Sequence, residues 1–491
     1  MSNTPKESLK EKLDQLHCHF TWGPQKENID LDDIMYRLQD SINLCLKCKA
    51  RSYNQLAFVN CLQGNYEEAI QNLKEAEKIL KENYKDEFER RSIITYGNFA
   101  WVHYHMGQLA EAQSYLDKLE MICKPLTDGP RYTAMIPEVY GEKGWSLLRS
   151  AAQYYEEAKE CFEKALEKDP DNVEWIMGYA TVLFRLESIP GTPESRERSQ
   201  SVKQLRRVLE LDPDDSLAMV LLALKQQEFK QKKAANELVE QALQKTPDYP
   251  KVLRNAAKFY RKEQVVEKAV ELLKKAIEIT PQNSVLHDQI GMCYRIKLLE
   301  QIKNPLSNNP QNPEFEQKRE LFRQCKYHFE KAFEHRPRSA IKSQLDYADI
   351  CRRDGEYSKA GEIYSNLLKL DGIRPENIQI ICLEAGLFEL YQRRSESNAI
   401  KLLQKALKIE TGSKVWKKCY ENLEKWADRK LCRDPHDSKA LGVKGLLHQL
   451  DHKKSKAIEY FEKALEYDPG NEEYLSALCE LRLSIEDRND T

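Results

Sequence analysis

Apolar residues recur at helical spacing in one phrase that returns along the chain. EEAKECFEKALEKDPDN at 156–172 comes back as EKAVELLKKAIEITPQN at 267–283 and as SKAIEYFEKALEYDPGN at 455–471. NELVEQALQKTPDY at 236–249 is a weaker copy, and YEEAIQNLKEAEKIL at 66–80 lacks the closing proline. In the 267–283 copy, Ala269, Leu273 and Ala276 stand at i, i+4 and i+7, on one face of a helix. The small alanines let a second helix approach closely. Pro281 cannot continue the helix and turns the chain. Such prolines fall at Pro170, Pro213, Pro247 and Pro281, so the first interval is 43 residues and the next two are 34 each.

That period, with Pro after each second helix, is the tetratricopeptide pattern. One helix pair leaves an apolar face uncovered, so neighbouring pairs stack into a solenoid. The expected fold is all-α: a tetratricopeptide-repeat superhelix of about eight or nine helix pairs, enclosing a central basic pocket. Two stretches break the period. ESIPGTPESRERSQ at 187–200 lengthens one connection, and QIKNPLSNNPQNPEFEQKRE at 301–320 marks an exposed excursion or a lengthened helix pair. Residues 408–430 read as charged helices outside the strict repeat. The expected division is 1–135, 136–300 with the pocket, and 301–491.

Composition narrows the function. Among 491 residues, 41% are hydrophobic and 32% charged, with 18 Gly and 19 Pro, which suits long helices with solvated faces. The net charge is −2, so nucleic-acid binding requires a local basic patch. No apolar run reaches the ~20 residues of a membrane span. The polar start MSNTPKESLKEKLDQL lacks a signal-peptide core. Thirteen scattered cysteines read as reduced thiols in a cytoplasmic protein.

The patch lies in the repeat around 250–282. Counting back from Ala269 as position twenty puts Leu253, Ala256, Ala257 and Tyr260 on packing positions. Lys251, Arg254, Lys258, Arg261 and Lys262 fall on groove positions. Over 251–275 eight Lys and Arg face three Glu, a net of +5. A solvated basic helix is the bland interpretation; an anion site inside the superhelix is the sharper one. The same count puts Arg185 in the groove with Trp175, Tyr179 and Phe184 near it. Arg149 follows Trp145, and Tyr154 and Tyr155 come next. Aromatic planes beside guanidinium groups suit unstacked bases and phosphates, although Trp145 serves equally well as core.

No catalytic constellation appears: no P-loop, no Gly-x-Gly fingerprint, no HExxH and no GxSxG. Cys45-Leu-Lys-Cys48 stands alone, and His17-Cys18-His19 points in different directions on a helix, so no metal or other cofactor is expected.

The string Cys18-His-Phe-Thr-Trp22, the block YGNFAWVHYHMGQLAEAQSYLDK at 96–118 and AAKFYRK at 256–262 resemble the interferon-induced proteins with tetratricopeptide repeats. The tail YLSALCELRLSI at 474–485 is most similar to one member of that family. The likeness runs nearly end to end. It implies a non-enzymatic, cytoplasmic antiviral protein that sequesters single-stranded RNA by its 5′ end in a narrow basic pocket. DNA and membranes are not expected partners; other family members or host proteins are. Some members prefer a 5′-triphosphate, the end expected here, and others a cap lacking 2′-O-methylation.

The resemblance carries over residue by residue. Arg254 and Arg261 match phosphate-binding arginines. Arg149 replaces a lysine, and Arg37 stands where members carry Arg or Thr; both are expected at the phosphates. Arg185 and Tyr155 match residues at the first nucleotide. Lys251 replaces a pocket tyrosine, and Gln289 belongs to a His-Gln pair whose histidine is Asp288 here; both are expected at nucleotides. Ser41 replaces a glutamine, and Asp33 replaces a glutamate linked to a metal ion. Asp288 would repel phosphates. A peptide-binding scaffold is the competing function. Leu217, Val220 and Leu224, at apolar groove positions, would suit either a peptide or a wall around a sugar-base unit, and the Lys251 and Asn255 pair, which a groove for C-terminal carboxylates would want, has no matching Asn on the preceding repeat.

Overall fold

The computed structural model describes residues 4–44, 49–126, 131–187 and 192–489. All regular elements among them are helices. The chain forms two compact units, 1–350 and 351–491. Cys45 and Cys48 lie outside the described residues.

The first unit opens with α1 (Pro5–Leu13) and α2 (Leu31–Leu44). Helices then follow in pairs: α3 (Lys49–Gln63) with α4 (Tyr66–Asn83), α5 (Phe88–His105) with α6 (Leu109–Cys123), and α7 (Pro137–Ser150) with α8 (Tyr155–Leu166). Next come α9 (Val173–Leu186), the short α10 (Pro193–Arg198) and α11 (Gln200–Leu211). The unit continues through α12 (Ser216–Glu228) with α13 (Lys232–Lys245), α14 (Pro250–Lys262) with α15 (Val266–Ile279), and α16 (Ser284–Ile302) with α17 (Pro313–Glu334). The division between units falls inside α18 (Ile341–Arg353). The second unit holds α19 (Tyr357–Leu368), α20 (Pro375–Tyr391), α21 (Glu396–Leu407), α22 (Lys414–Leu431), α23 (Ser438–Leu450), α24 (Lys454–Tyr467) and α25 (Glu472–Asn489). The 301–320 stretch is therefore a lengthened helix pair: α16 and α17 extend by several turns and meet through a short turn at Pro305–Asn308.

The repeated phrase builds the core as its spacing predicts. Ala269, Leu273 and Ala276 are buried, as are Ala158, Phe162 and Ala165, and Ala457, Phe461 and Ala464. Close approach is taken furthest around Phe162, which is fully buried between two glycine positions. A Cβ on Gly178 of α9 would stand 2.4 Å from its ring, and one on Gly144 of α7 would stand 3.0 Å from it. The phrase also starts the helix that follows it. In DPDN and TPQN, the last residues cap the next helix: Asn172 Oδ1 accepts from the Trp175 amide (3.2 Å), and Asn283 Oδ1 from the Leu286 amide (3.3 Å).

One expectation is corrected. Val220 and Leu224 have no exposed surface and belong to the core; Leu217 is half-buried against it. Helix α12 packs against α11, α13 and α14 together, so its neighbours bury the face that an isolated helix pair would present to a groove. These residues form no apolar wall for a peptide.

Candidate functional site

Arg254, Lys258 and Arg261 occupy one face of α14, while Val252, Ala256 and Phe259 are buried in the core. Arg254 is half-buried. Among the described residues its guanidinium meets no carboxylate and no hydrogen-bond acceptor. Burial and the positive fields of Arg185, Arg37 and Arg336 push its pKa down to about 10. Four arginines from α2, α9, α14 and the α17–α18 connection thus converge on one place. Bringing like charges together costs energy that an anion relieves.

Each of the other three is held in position. Arg37 Nε lies 2.9 Å from the Asp33 carboxylate, and its Nη2 donates to the Arg149 carbonyl at 2.9 Å. Arg185 Nη1 donates to the Leu148 carbonyl (3.0 Å) and the Tyr155 hydroxyl (2.9 Å), and its guanidinium lies 5.1 Å from the Tyr155 ring centre. Arg336 Nε lies 3.6 Å from the other oxygen of Asp33. Arg336 was not foreseen. The signal was present in Arg336-Pro337-Arg338, two arginines around a proline at a repeat junction, but nothing in the repeat register aims them inward.

Asp33 and Asp30 explain how α2 comes to face α14. Asp33 is buried and also accepts from the Ser284 hydroxyl. Asp30 accepts from the backbone amides of Arg338 (3.1 Å) and Ser339 (3.0 Å) and from the Ser339 hydroxyl. Ser284, Arg338 and Ser339 lie 251 to 309 positions further along the chain than the aspartates they meet. The repeats of the first unit therefore turn far enough for its start to meet its end around the arginine cluster. Asp33 is engaged by two arginines and a serine. No group of three or more His, Cys, Asp or Glu able to hold a metal occurs among the described residues.

Further along α14, burial pushes the Lys258 ammonium down to about 8, with Lys262, Arg254 and Arg261 acting in the same direction and Glu228 opposing. It lies 5.5 Å from the Phe184 ring centre, and the buried Lys225 lies 5.2 Å from the same ring. Lys225 is balanced by Glu187 (3.8 Å) and Glu228 (3.4 Å). Arg261 Nη2 donates to Gln289 Oε1 at 3.0 Å, and Gln289 Nε2 donates to Asp288 at 3.1 Å. The second Asp288 oxygen accepts from the Ser343 hydroxyl at 2.6 Å. Both oxygens of this carboxylate are thus engaged, which weakens the repulsion expected of it.

The remaining expected residues sit at the edges. Arg149 Nη1 reaches Ser52 Oγ at 3.5 Å, and Ser52 donates to the buried Ser41 at 3.3 Å. The Arg149 charge is felt at His19 and Glu142, and it joins the cluster through the carbonyl that Arg37 holds. Lys251 is exposed at the start of α14, and its charge is felt at Asp40, whose carboxyl burial raises to about 6. Trp145 stands edge-on to Phe162 (5.5 Å), and the Arg51 guanidinium covers it at 4.8 Å while pairing with Glu174. The structure brings Arg37, Arg185, Arg254 and Arg336 together, continues them through Lys258 to Arg261 and Gln289, and keeps Arg149 and Lys251 at the margins.

Comparison with known proteins follows the same outline. Residues 49–120, and separately 137–172 and 438–471, match tetratricopeptide repeat families; residues 184–303 match the N-terminal tetratricopeptide-repeat region of Psidin. The antiviral innate immune response effector IFIT1 of Homo sapiens is 39% identical over 465 residues, covering 94% of this chain and 97% of that protein. The human interferon-induced protein with tetratricopeptide repeats 2 is 36% identical over 481 residues, covering 95% and 97%. The chain belongs to the interferon-induced proteins with tetratricopeptide repeats. Solved structures of this family superpose on it. The human IFIT1 dimer with m7Gppp-AAAA does so with a TM-score of 0.80 and 39% identity, covering 93% of this chain and 99% of that one. The human IFIT1 dimer with PPP-AAAA gives 0.78 and 38% over the same shares.

Proposed function

We propose that this chain is a non-catalytic antiviral protein that sequesters foreign single-stranded RNA by its 5′-triphosphate end. The observation that carries this reading is the Arg254 guanidinium: its donors meet no acceptor among the described residues, and three further arginines bear on it. Phosphate oxygens supply the missing acceptors and relieve the repulsion, and hydrogen bonds between charged partners are the strong ones. Arg37, Arg254 and Arg261 take the phosphates, with Arg336 and Lys258 beside them and Arg149 at the margin. Arg185, stacked on Tyr155, takes the first nucleotide, and Gln289 and Lys251 serve nucleotides beyond it. Phosphate contacts position a strand without reading its bases, so sequence is of little consequence. The solved human IFIT1 complex with PPP-AAAA supports the choice of ligand.

Among the described residues eleven cysteines are free, nine of them buried, which fits a reducing compartment such as the cytoplasm. A capped end lacking 2′-O-methylation is the second reading, favoured by the human IFIT1 complex with m7Gppp-AAAA. The peptide-scaffold reading is weaker, because Val220 and Leu224 are core. RNA that copurifies with the protein, sequenced before and after phosphatase or decapping treatment, tests the choice. Triphosphate ends should dominate; capped ends would transfer the site to the second reading, and an absence of RNA would return the groove to protein partners.

A further inference from the structure

Four side chains from α14, α16 and α18 form one chain of hydrogen bonds at the C-terminal end of α14. Arg261 Nη2 donates to Gln289 Oε1 at 3.0 Å, and Gln289 Nε2 donates to one oxygen of Asp288 at 3.1 Å. The Ser343 hydroxyl donates to the other Asp288 oxygen at 2.6 Å. Ser343 is buried, and the other three are half-buried. Arg295, also on α16, is taken by Asp346 (3.5 Å) and Asp349 (3.4 Å) and so does not compete for Asp288.

The chemistry of the two ends fixes the middle. A guanidinium offers only donors, and an ionised carboxylate only acceptors. The amide between them therefore has one workable orientation, with its oxygen towards Arg261 and its nitrogen towards Asp288. Turned over, it would set N–H against N–H at one end and oxygen against oxygen at the other. Arg261 Nε is buried and has no hydrogen-bond partner among the described residues, so the Gln289 oxygen orients the guanidinium. Asp288 in turn is held by a buried hydroxyl from a different helix. The second hydrogen on Gln289 Nε2 remains for an oxygen of the strand.

We infer that Asp288 and Ser343 are positioning residues: through the Gln289 amide they aim the Arg261 guanidinium at the terminal phosphates and so raise the preference for a phosphorylated 5′ end. This inference rests on the proposed RNA function and adds to it two determinants that touch no phosphate themselves. It runs against the plain electrostatic expectation, in which a carboxylate beside the groove only weakens RNA binding. The two accounts predict opposite signs for the loss of Asp288. Removing a purely repulsive charge favours the more highly charged ligand, so the preference for a triphosphate over a hydroxyl rises. Removing the anchor of the amide leaves Arg261 unaimed, so the preference falls.

The test measures binding of one RNA with a 5′-triphosphate and the same RNA with a 5′-hydroxyl to the full chain and three variants. Asp288→Ala should lower the triphosphate preference by about 3–10-fold, the size of one hydrogen bond's net contribution. Ser343→Ala leaves the Asp288 charge in place and should lower the preference in the same direction. Ser343→Thr keeps the hydroxyl and should restore it. A preference that rises or holds in Asp288→Ala would overturn the inference, as would a wild-type preference in Ser343→Ala. Circular dichroism confirms that each variant is folded. If the 5′-end reading fails instead, wild type will not distinguish the two RNAs, and thermal unfolding then judges the relay. The stability losses of Ser343→Ala and Gln289→Ala should be non-additive in the double variant, which places the failure in the RNA reading; additive losses would overturn the relay itself.

Discussion

Removing Asp33 tests the closure of the first unit around the arginine cluster. Its carboxylate is 5% exposed and takes contacts from Arg37, Arg336 and the Ser284 hydroxyl. Asp33→Ala leaves two guanidinium groups without their shared anion, next to Arg254. Breaking a fully buried ion pair by deleting one partner costs about 3–5 kcal/mol. Arg37 and Arg336 retain 33% and 19% exposure, so water recovers part of that, and about 2–3 kcal/mol is the expected loss. The loss is local, because α2 can detach while the repeats behind it stay stacked. Hydrogen exchange is the assay. Amides of α2 and of 336–339 should exchange about 30–150-fold faster, as 1.4 kcal/mol is tenfold. Amides of α23 and α24 should be unaffected. Exchange in α2 within about threefold of wild type would refute the latch, and uniform acceleration across the first unit would refute its local character.

Three further outcomes follow from the same contacts. Lys258 titrates near 8 in the folded chain, below its ordinary value, and only its protonated form attracts phosphate. Affinity for triphosphorylated RNA should therefore fall as pH rises through about 8, with proton uptake on binding. Lys258→Arg should flatten that profile, and an unchanged pH slope in the variant would refute the assignment. Gly178→Ala places a Cβ 2.4 Å from the fully buried Phe162 ring and should destabilise by about 1–3 kcal/mol in thermal unfolding, whereas neutrality would show that the helix pair has room. Val220→Ser should lower thermal stability through a buried, unpartnered hydroxyl and leave RNA affinity alone, whereas unchanged stability with altered binding would restore it to a groove.

Much of this was legible in the sequence for a physical reason. The alternation of Ala269, Leu273 and Ala276 with Pro281 is local chemistry, and local chemistry sets helix faces. The groove stripe of Arg254, Lys258 and Arg261 followed from it. Residues brought together by the turning of the whole solenoid were not legible. Asp33 and Arg336 meet across some 300 positions, and no periodic pattern encodes that encounter. The same blindness put Val220 and Leu224 in the groove, because register on one helix pair does not say how much of α12 the next pair covers. Asp288 illustrates a third limit: its charge was plain in the sequence, but the Ser343 hydroxyl that holds it comes from another helix.

The central claim is that Arg254 and Arg261 hold RNA terminal phosphates, and one binding measurement addresses it directly. Affinity for a 5′-triphosphate RNA and for the same RNA with a 5′-hydroxyl is measured on wild type and on Arg254→Glu/Arg261→Glu. Hydrogen bonds to charged groups contribute about 1.5–3 kcal/mol each, so losing two should weaken triphosphate binding about 10²–10⁴-fold. Thermal stability should hold, because the Arg254 charge is already disfavoured by its three arginine neighbours. Wild type should prefer the triphosphate, and the double variant should lose that preference. Equal binding of the two RNAs by wild type, or a double variant within about threefold of it, would contradict the account.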